Sequence, residues 1–282
     1  MTFAKNGRGF GVVALLIAGA FVSAACGERD PAPPPRDLGG DVDMGGSVDM
    51  GTPVDMTTPV DMPEIVDLNF DANFPTGTLT INGTLTELTA TGAGGPIEGV
   101  LICVIVPLGG PCVMSAADGT FTATGIPETT EMLVELTAPL YQPALATVTT
   151  GTTDVTFSYL MAKRATVSTL GTIIGQRIDA TKGQIFVQAG DAAGVTVTLS
   201  PASGAGPFYS TATGIPSRTL TETTVSGAAV FANVDPGEYI VTFSHATLMC
   251  PPTGFAWAGT VAETTRVPVQ ADHVSSTVAL CM

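Results

Sequence analysis

Apolar residues fall into three regimes along the chain. From Phe10 to Ala25 no charge interrupts them; from Gly27 to Pro75 they are thinly spread among acidic repeats; from Gly77 onward short apolar runs alternate with Thr, Gly, Pro and Asp. The last regime predicts strands. Thr78-Leu79-Thr80-Ile81-Asn82-Gly83-Thr84-Leu85 alternates polar and apolar residues at period two, as a strand with one buried face does. Val100 to Val106 is apolar throughout and predicts a more deeply buried strand. Asp118-Gly119 predicts a turn into Phe121-Thr122-Ala123, and Met132 to Leu136 and Val155 to Tyr159 close the set. The pattern predicts an all-β chain of two tandem β-sandwiches, over residues 76–160 and 161–282. Ala165 to Ile178 predicts a short helix leading the second, weakened by Gly171 and Gly175.

The first regime predicts export. Lys5 and Arg8 form a positive flank, Phe10 to Val22 an apolar centre, and Ser23-Ala24-Ala25-Cys26 a small-residue cleavage box. The run is shorter than the roughly 20 apolar residues that span a bilayer. Residues 1–25 resemble a bacterial lipoprotein signal, which implies cleavage before Cys26 and acylation of its thiol. Ser23 departs from that pattern, which usually has Leu, Val or Ile three places before the cysteine. Ordinary signal-peptidase cleavage with secretion, or an uncleaved anchor, are the alternatives. Gly27 after the cysteine, where the enteric inner-membrane signal is an aspartate, points to the outer membrane.

Residues 26–75 predict a disordered tether. Val42-Asp43-Met44 recurs as Val48-Asp49-Met50, Val54-Asp55-Met56 and Val60-Asp61-Met62, a period that suits no amphipathic helix. Gly, Pro and Thr fill the gaps, so little apolar surface offsets the entropy of ordering. As a flexible coil the segment reaches about 35 to 42 Å, and a proline-stiffened form approaches roughly 150 Å. Its even aspartates lack the alternating ligands and bidentate glutamate of a calcium loop.

Charge and cysteine usage narrow the function classes. The chain carries a net charge of -15, of which residues 27–75 supply eleven acidic side chains against Arg29 and Arg36. Residues 76–160 have seven acidic side chains and no Lys or Arg, while residues 161–282 have seven acidic and six basic ones. Nucleic acid as a partner is disfavoured, because phosphate neutralisation needs Lys and Arg. With Cys26 acylated, Cys103, Cys112, Cys250 and Cys281 remain as an even set in an oxidising compartment. Three connectivities are open; sequence proximity favours Cys103 with Cys112 and Cys250 with Cys281. Those loops would be worth about 2.7 and 3.7 kcal/mol in the chain-entropy model. No C-x-x-C pair or nearby histidine predicts zinc, and no cofactor is expected.

Gly95-Pro96-Ile97-Glu98-Gly99-Val100, Ala117-Asp118-Gly119-Thr120-Phe121 and Gly125-Ile126-Pro127 resemble the carboxypeptidase regulatory-like family. Gly194 to Leu199 and Gly227 to Tyr239 repeat a similar order, the second with a Pro-Gly corner. The resemblance implies transthyretin-like, immunoglobulin-like sandwiches, and the whole layout resembles uncharacterised myxobacterial-type lipoproteins. These motifs specify turns and core, not a reaction. His245 and His273 are far apart with no ligand pattern and are expected at surface or turn positions. Lys182 with Asn233 is the best pair for the isopeptide bond of the family's pilin-like relatives, and a poor one. The expectation is a non-enzymatic scaffold, structural or adhesive, held to a membrane through Cys26. The alternative is a binding protein for a surface protein or carbohydrate. Trp257 is its candidate contact, unless that ring packs between sheets; Tyr141, Tyr159, Tyr209 and Tyr239 are the other available faces.

Overall fold

The computed structural model describes residues 74, 75, 77–89 and 92–282; the expected lipoprotein signal, Cys26 and nearly all of the expected tether lie outside the described residues. Eight strands precede a helix: β1 (Leu79–Thr89), β2 (Gly92–Pro96), β3 (Leu101–Val106), β4 (Cys112–Met114), β5 (Thr120–Ile126), β6 (Glu131–Thr137), β7 (Ala144–Thr149) and β8 (Val155–Ala162). The helix α1 (Arg164–Ile173) leads to β9 (Gly183–Gln188), β10 (Thr196–Ser200), β11 (Ala205–Tyr209) and β12 (Ala228–Val234). Then follow β13 (Gly237–Ser244), β14 (Trp257–Ala258), β15 (Thr264–Val269) and β16 (Val274–Val278). The fold is all-β, as the period-two pattern predicts.

Three sheets form, and one of them joins the two halves. Eight strands hydrogen-bond in the order β11-β12-β9-β16-β7-β6-β3-β4. β16 lies parallel to both β7 and β9, with Ser275 beside Leu145 on one side and Ile185 on the other. A sheet of β2, β1, β5 and β8 covers β3, β6 and β7, enclosing Leu85, Ile126, Met132, Leu136 and Val148. A sheet of β10, β13, β15 and β14 covers β9 and β12, enclosing Ile185, Val187, Phe231, Val241 and Phe243. The register places these two cores on opposite faces of the large sheet. Ala144 and Ala146 belong to the first core, whereas Leu145 shares the face of Ser275 and Ile185.

Small side chains make the junction possible. β15 comes within 8 Å, Cα to Cα, of β7, β9 and β16, closer than the roughly 10 Å between ordinary packed sheets. Facing β15 on β16 are Ser275 and Thr277, both essentially inaccessible, and Ser275 Oγ donates to the Pro268 carbonyl at 2.5 Å. The hydroxyls of Thr277 and of Thr265 on β15 are buried with no partner.

Local chemistry explains several boundaries. Gly175 ends α1 rather than weakening it. It adopts φ +71°, and the N–H groups of Gly175 and Gln176 return to the carbonyls of Thr172 and Gly171 (3.0 and 2.8 Å), a Schellman stop short of the expected Ile178. At the Asp118-Gly119 turn, Asp118 Oδ1 accepts from the Thr120 N–H (3.0 Å) and hydroxyl (2.6 Å). Those bonds hold its carboxyl below the usual range. The Pro-Gly corner is closed by the Tyr239 hydroxyl donating to the Asp235 carbonyl at 2.9 Å.

One strand differs from its expectation. β3 is not deeply buried throughout: Ile102 and Val104 enter the first core, but Leu101 and Val106 are 42% and 41% exposed. The reason is position, since β3 lies next to the short edge strand β4, beyond the reach of the second covering sheet.

Thr277→Val keeps the shape of the side chain and removes an unpaired hydroxyl, so it is expected to be neutral or to stabilise by about 1 kcal/mol. Ser275→Leu forces β15 and β16 apart and is expected to cost about 1 to 3 kcal/mol. Urea unfolding midpoints of the two variants check both signs.

Candidate functional site

Charged and aromatic side chains from the two halves meet along the outward face of β6. Alternation puts Met132, Val134 and Leu136 in the first core and turns Glu131, Leu133 and Glu135 the other way. Each outward residue is met from the second half. Arg266 on β15 pairs with Glu131, Trp257 on β14 packs on Leu133 and Leu145, and His273 Nε2 lies 3.0 Å from Glu135 Oε1. Arg266 also stands over the Trp257 ring, 5.4 Å from its centroid, and reaches Glu238 at 3.8 Å.

Trp257 is core packing between sheets, the alternative to a binding platform. It is 7% exposed, and its indole N–H donates to the Met132 carbonyl at 3.0 Å. The chain around it is stitched to β7: the Thr149 N–H donates to the Gly254 carbonyl and the Thr149 hydroxyl to that of Ala256, each at 2.8 Å. Phe255 enters the first core, its ring 5.7 Å from Phe157.

At the other end of the junction Asp272, a non-glycine residue at φ +61°, is gripped from two sides. Arg164 at the start of α1 donates to both its carboxylate oxygens at 2.7 Å, and the buried Gln142 amide donates to Oδ1 at 3.0 Å. The Arg164 bond holds the Asp272 carboxyl below the usual range against the opposing effect of burial, and the Gln142 bond adds to the lowering. Its contribution is therefore present above the ordinary carboxylate range and lost as pH falls through its lowered value.

The remaining expected residues are spoken for structurally. Cys103 is bonded to Cys112 across the β3–β4 pair, and the buried Cys250 to Cys281 just beyond β16, the pairing that sequence proximity favours. His245 Nδ1 accepts the N–H groups of Thr247 and Leu248 at 3.1 and 2.9 Å, a turn position. His273 also follows a turn but is only 15% exposed, because Glu135 draws it onto β6. Lys182 pairs with Asp235, not Asn233, whose amide instead holds the Arg177 carbonyl and the Asp179 N–H. Tyr141 donates to Glu87 at 3.1 Å; Tyr209 accepts from the Val197 N–H at 3.0 Å. Burial pushes the Tyr159 hydroxyl up to about 12, with a Ser276 hydrogen bond opposing.

Among the described residues no group of three or more His, Cys, Asp or Glu side chains could hold a metal ion, and no helix is long and apolar enough to cross a membrane. A cavity of about 10 Å³ lies inside the first core, lined by Ile81, Ile102, Phe121, Val134 and Phe157. That is the scale of a single water. Sequence reasoning singled out Trp257 but missed Glu131, Glu135, Arg266 and Asp272. The signal available was the acid-apolar-acid alternation on a strand whose other face is wholly apolar.

No family model matches the chain, and no curated protein matches it. Among solved structures it is similar to the Bacillus anthracis TIE protein, at 10% identity over 72% of this chain and 34% of that one, with a TM-score of 0.23. It is also similar to a minor pilin of Streptococcus agalactiae, at 12% identity over 73% of this chain and 97% of that one, TM-score 0.22. A third likeness is to the full-length major pilin RrgB of Streptococcus pneumoniae, at 12% identity over 74% and 48%, TM-score 0.23. The chain thus spans about a third of the first of these proteins and about half of the third. Superposition at this level fixes neither a shared topology nor a shared role.

Trp257 is the one tryptophan of the chain, so its fluorescence reports the junction. Blue-shifted emission, shielded from acrylamide in the native state, is expected to be lost in a single transition that also abolishes the far-UV signal of both halves. Trp257→Ala is expected to cost about 3 to 5 kcal/mol, read as a lowered urea midpoint.

Proposed function

We propose that this chain is a non-catalytic, lipid-anchored protein of the cell envelope, displaying one stiff β-sheet body on an acidic tether as a structural or adhesive scaffold. The shared strand carries this reading. Because β16 pairs with β7 and β9 at once, the halves are joined by backbone ladders as well as side chains, which suits a part that holds shape under load. The anchor rests on the small-residue box before Cys26, and the tether of net charge -9 keeps the body clear of anionic surfaces. Gly27 favours the outer membrane as its site. The buried Trp257, its N–H committed to Met132, weighs against the alternative of a carbohydrate-binding module.

Mass spectrometry of the mature N-terminal peptide from native membranes tests the anchor. Two or three acyl chains on Cys26 and partition into detergent are expected, with the Cys26→Ala chain failing to be processed and acylated. An unmodified Cys26 in a soluble, processed chain would replace the anchored scaffold by a secreted one.

A further inference from the structure

The contact between His273 and Glu135 has a proton requirement that its geometry imposes. His273 Nδ1 faces the Ala271 carbonyl oxygen at 2.7 Å, while Nε2 faces Glu135 Oε1 at 3.0 Å. Both neighbours are acceptors when the carboxyl is ionised, and a neutral imidazole has only one N–H. Both contacts are made if the pair holds one extra proton, either as imidazolium against carboxylate or as neutral ring against carboxylic acid. Without that proton a nitrogen lone pair faces an anionic oxygen or the Ala271 carbonyl.

We propose that His273 and Glu135 form a proton-held clasp across the junction of the two halves, closed while the pair keeps its extra proton and loosened when that proton is lost. Its location gives the proton structural leverage. Glu135 stands two residues from Leu133, on which Trp257 packs, and His273 immediately precedes β16, the strand the halves share. The charged groups around the ring are Glu135 from β6, Asp272 beside it on the same connection, and Arg164 of α1 behind Asp272. Asp272, whose carboxyl Arg164 holds below the usual range, adds negative charge beside the ring, with Arg164 partly offsetting its field. The other junction pairs, Arg266 with Glu131 and Arg164 with Asp272, join a guanidinium to a carboxylate and need no extra proton. The His273–Glu135 contact is therefore the one of these three that an added proton completes.

Glu135→Gln separates this clasp from a plain ion pair. A carboxamide accepts from imidazolium and donates to neutral imidazole, so its contact survives in both states. Acrylamide quenching of Trp257 and the melting temperature would be followed from about pH 5.5 to 8.5 on the full chain. In the wild type, quenching is expected to rise with pH, and the melting temperature to fall by roughly 2 to 4 °C more than in Glu135→Gln. His273→Gln, a second variant, is expected to flatten the profile as Glu135→Gln does, and His245→Gln to keep the wild-type slope. Trp257 quenching that does not change with pH, or the same change in wild type and Glu135→Gln, overturns the clasp.

Discussion

Everything in this molecule hangs on the parallel pairing of the last strand. β16 takes hydrogen bonds from β7 on one side and β9 on the other. Without it both strands would be sheet edges with unpaired backbone groups facing the middle of the protein. Buried backbone groups must find partners, and open edges invite pairing with the wrong chain. One strand resolves both problems, and in doing so fixes how the halves are oriented.

That pairing dictates what can stand around it. Three sheets converge on β16, which leaves no room for large side chains there, and Ser275 and Thr277 occupy the tightest positions. The cost appears as two buried hydroxyls, on Thr265 and Thr277, that have no partner. Apolar packing resumes one strand away, where Trp257 fills the step against Leu133 and Leu145. Charged residues complete the junction from both halves, the second half supplying the positive sign that the first lacks. The first half has no Lys or Arg of its own, so Glu131 and Glu135 depend on Arg266 and His273. At these positions the acidity of the first half is one side of an interface.

The disulfides work at a different level. Cys103–Cys112 ties the peripheral pair β3 and β4, while Cys250–Cys281 fastens the chain just beyond β16 to the second core. The second lies next to the element that unites the molecule, so it holds the end of the shared strand in place. The first secures an edge that is otherwise short and partly exposed.

Much of the fold was legible in the residues themselves. Period-two alternation located β1, Asp118-Gly119 located the turn into β5, and short apolar runs located β6 and β8, because side-chain alternation and turn chemistry are set by neighbours in sequence. The burial of β3 was misjudged because an apolar run records what a strand can bury, and only its place near the sheet edge decides what is covered. The parallel pairing of β16 was invisible for the same reason. Val274 to Val278 alternates like any strand, and nothing in it names partners 130 residues upstream in one direction and 90 in the other. The sequence by itself determined the strand-rich class and the acidic asymmetry. Only the tertiary structure decided that the halves share a sheet, that Trp257 is interior, and that His273 meets Glu135, since these depend on long-range closure and not on local preference.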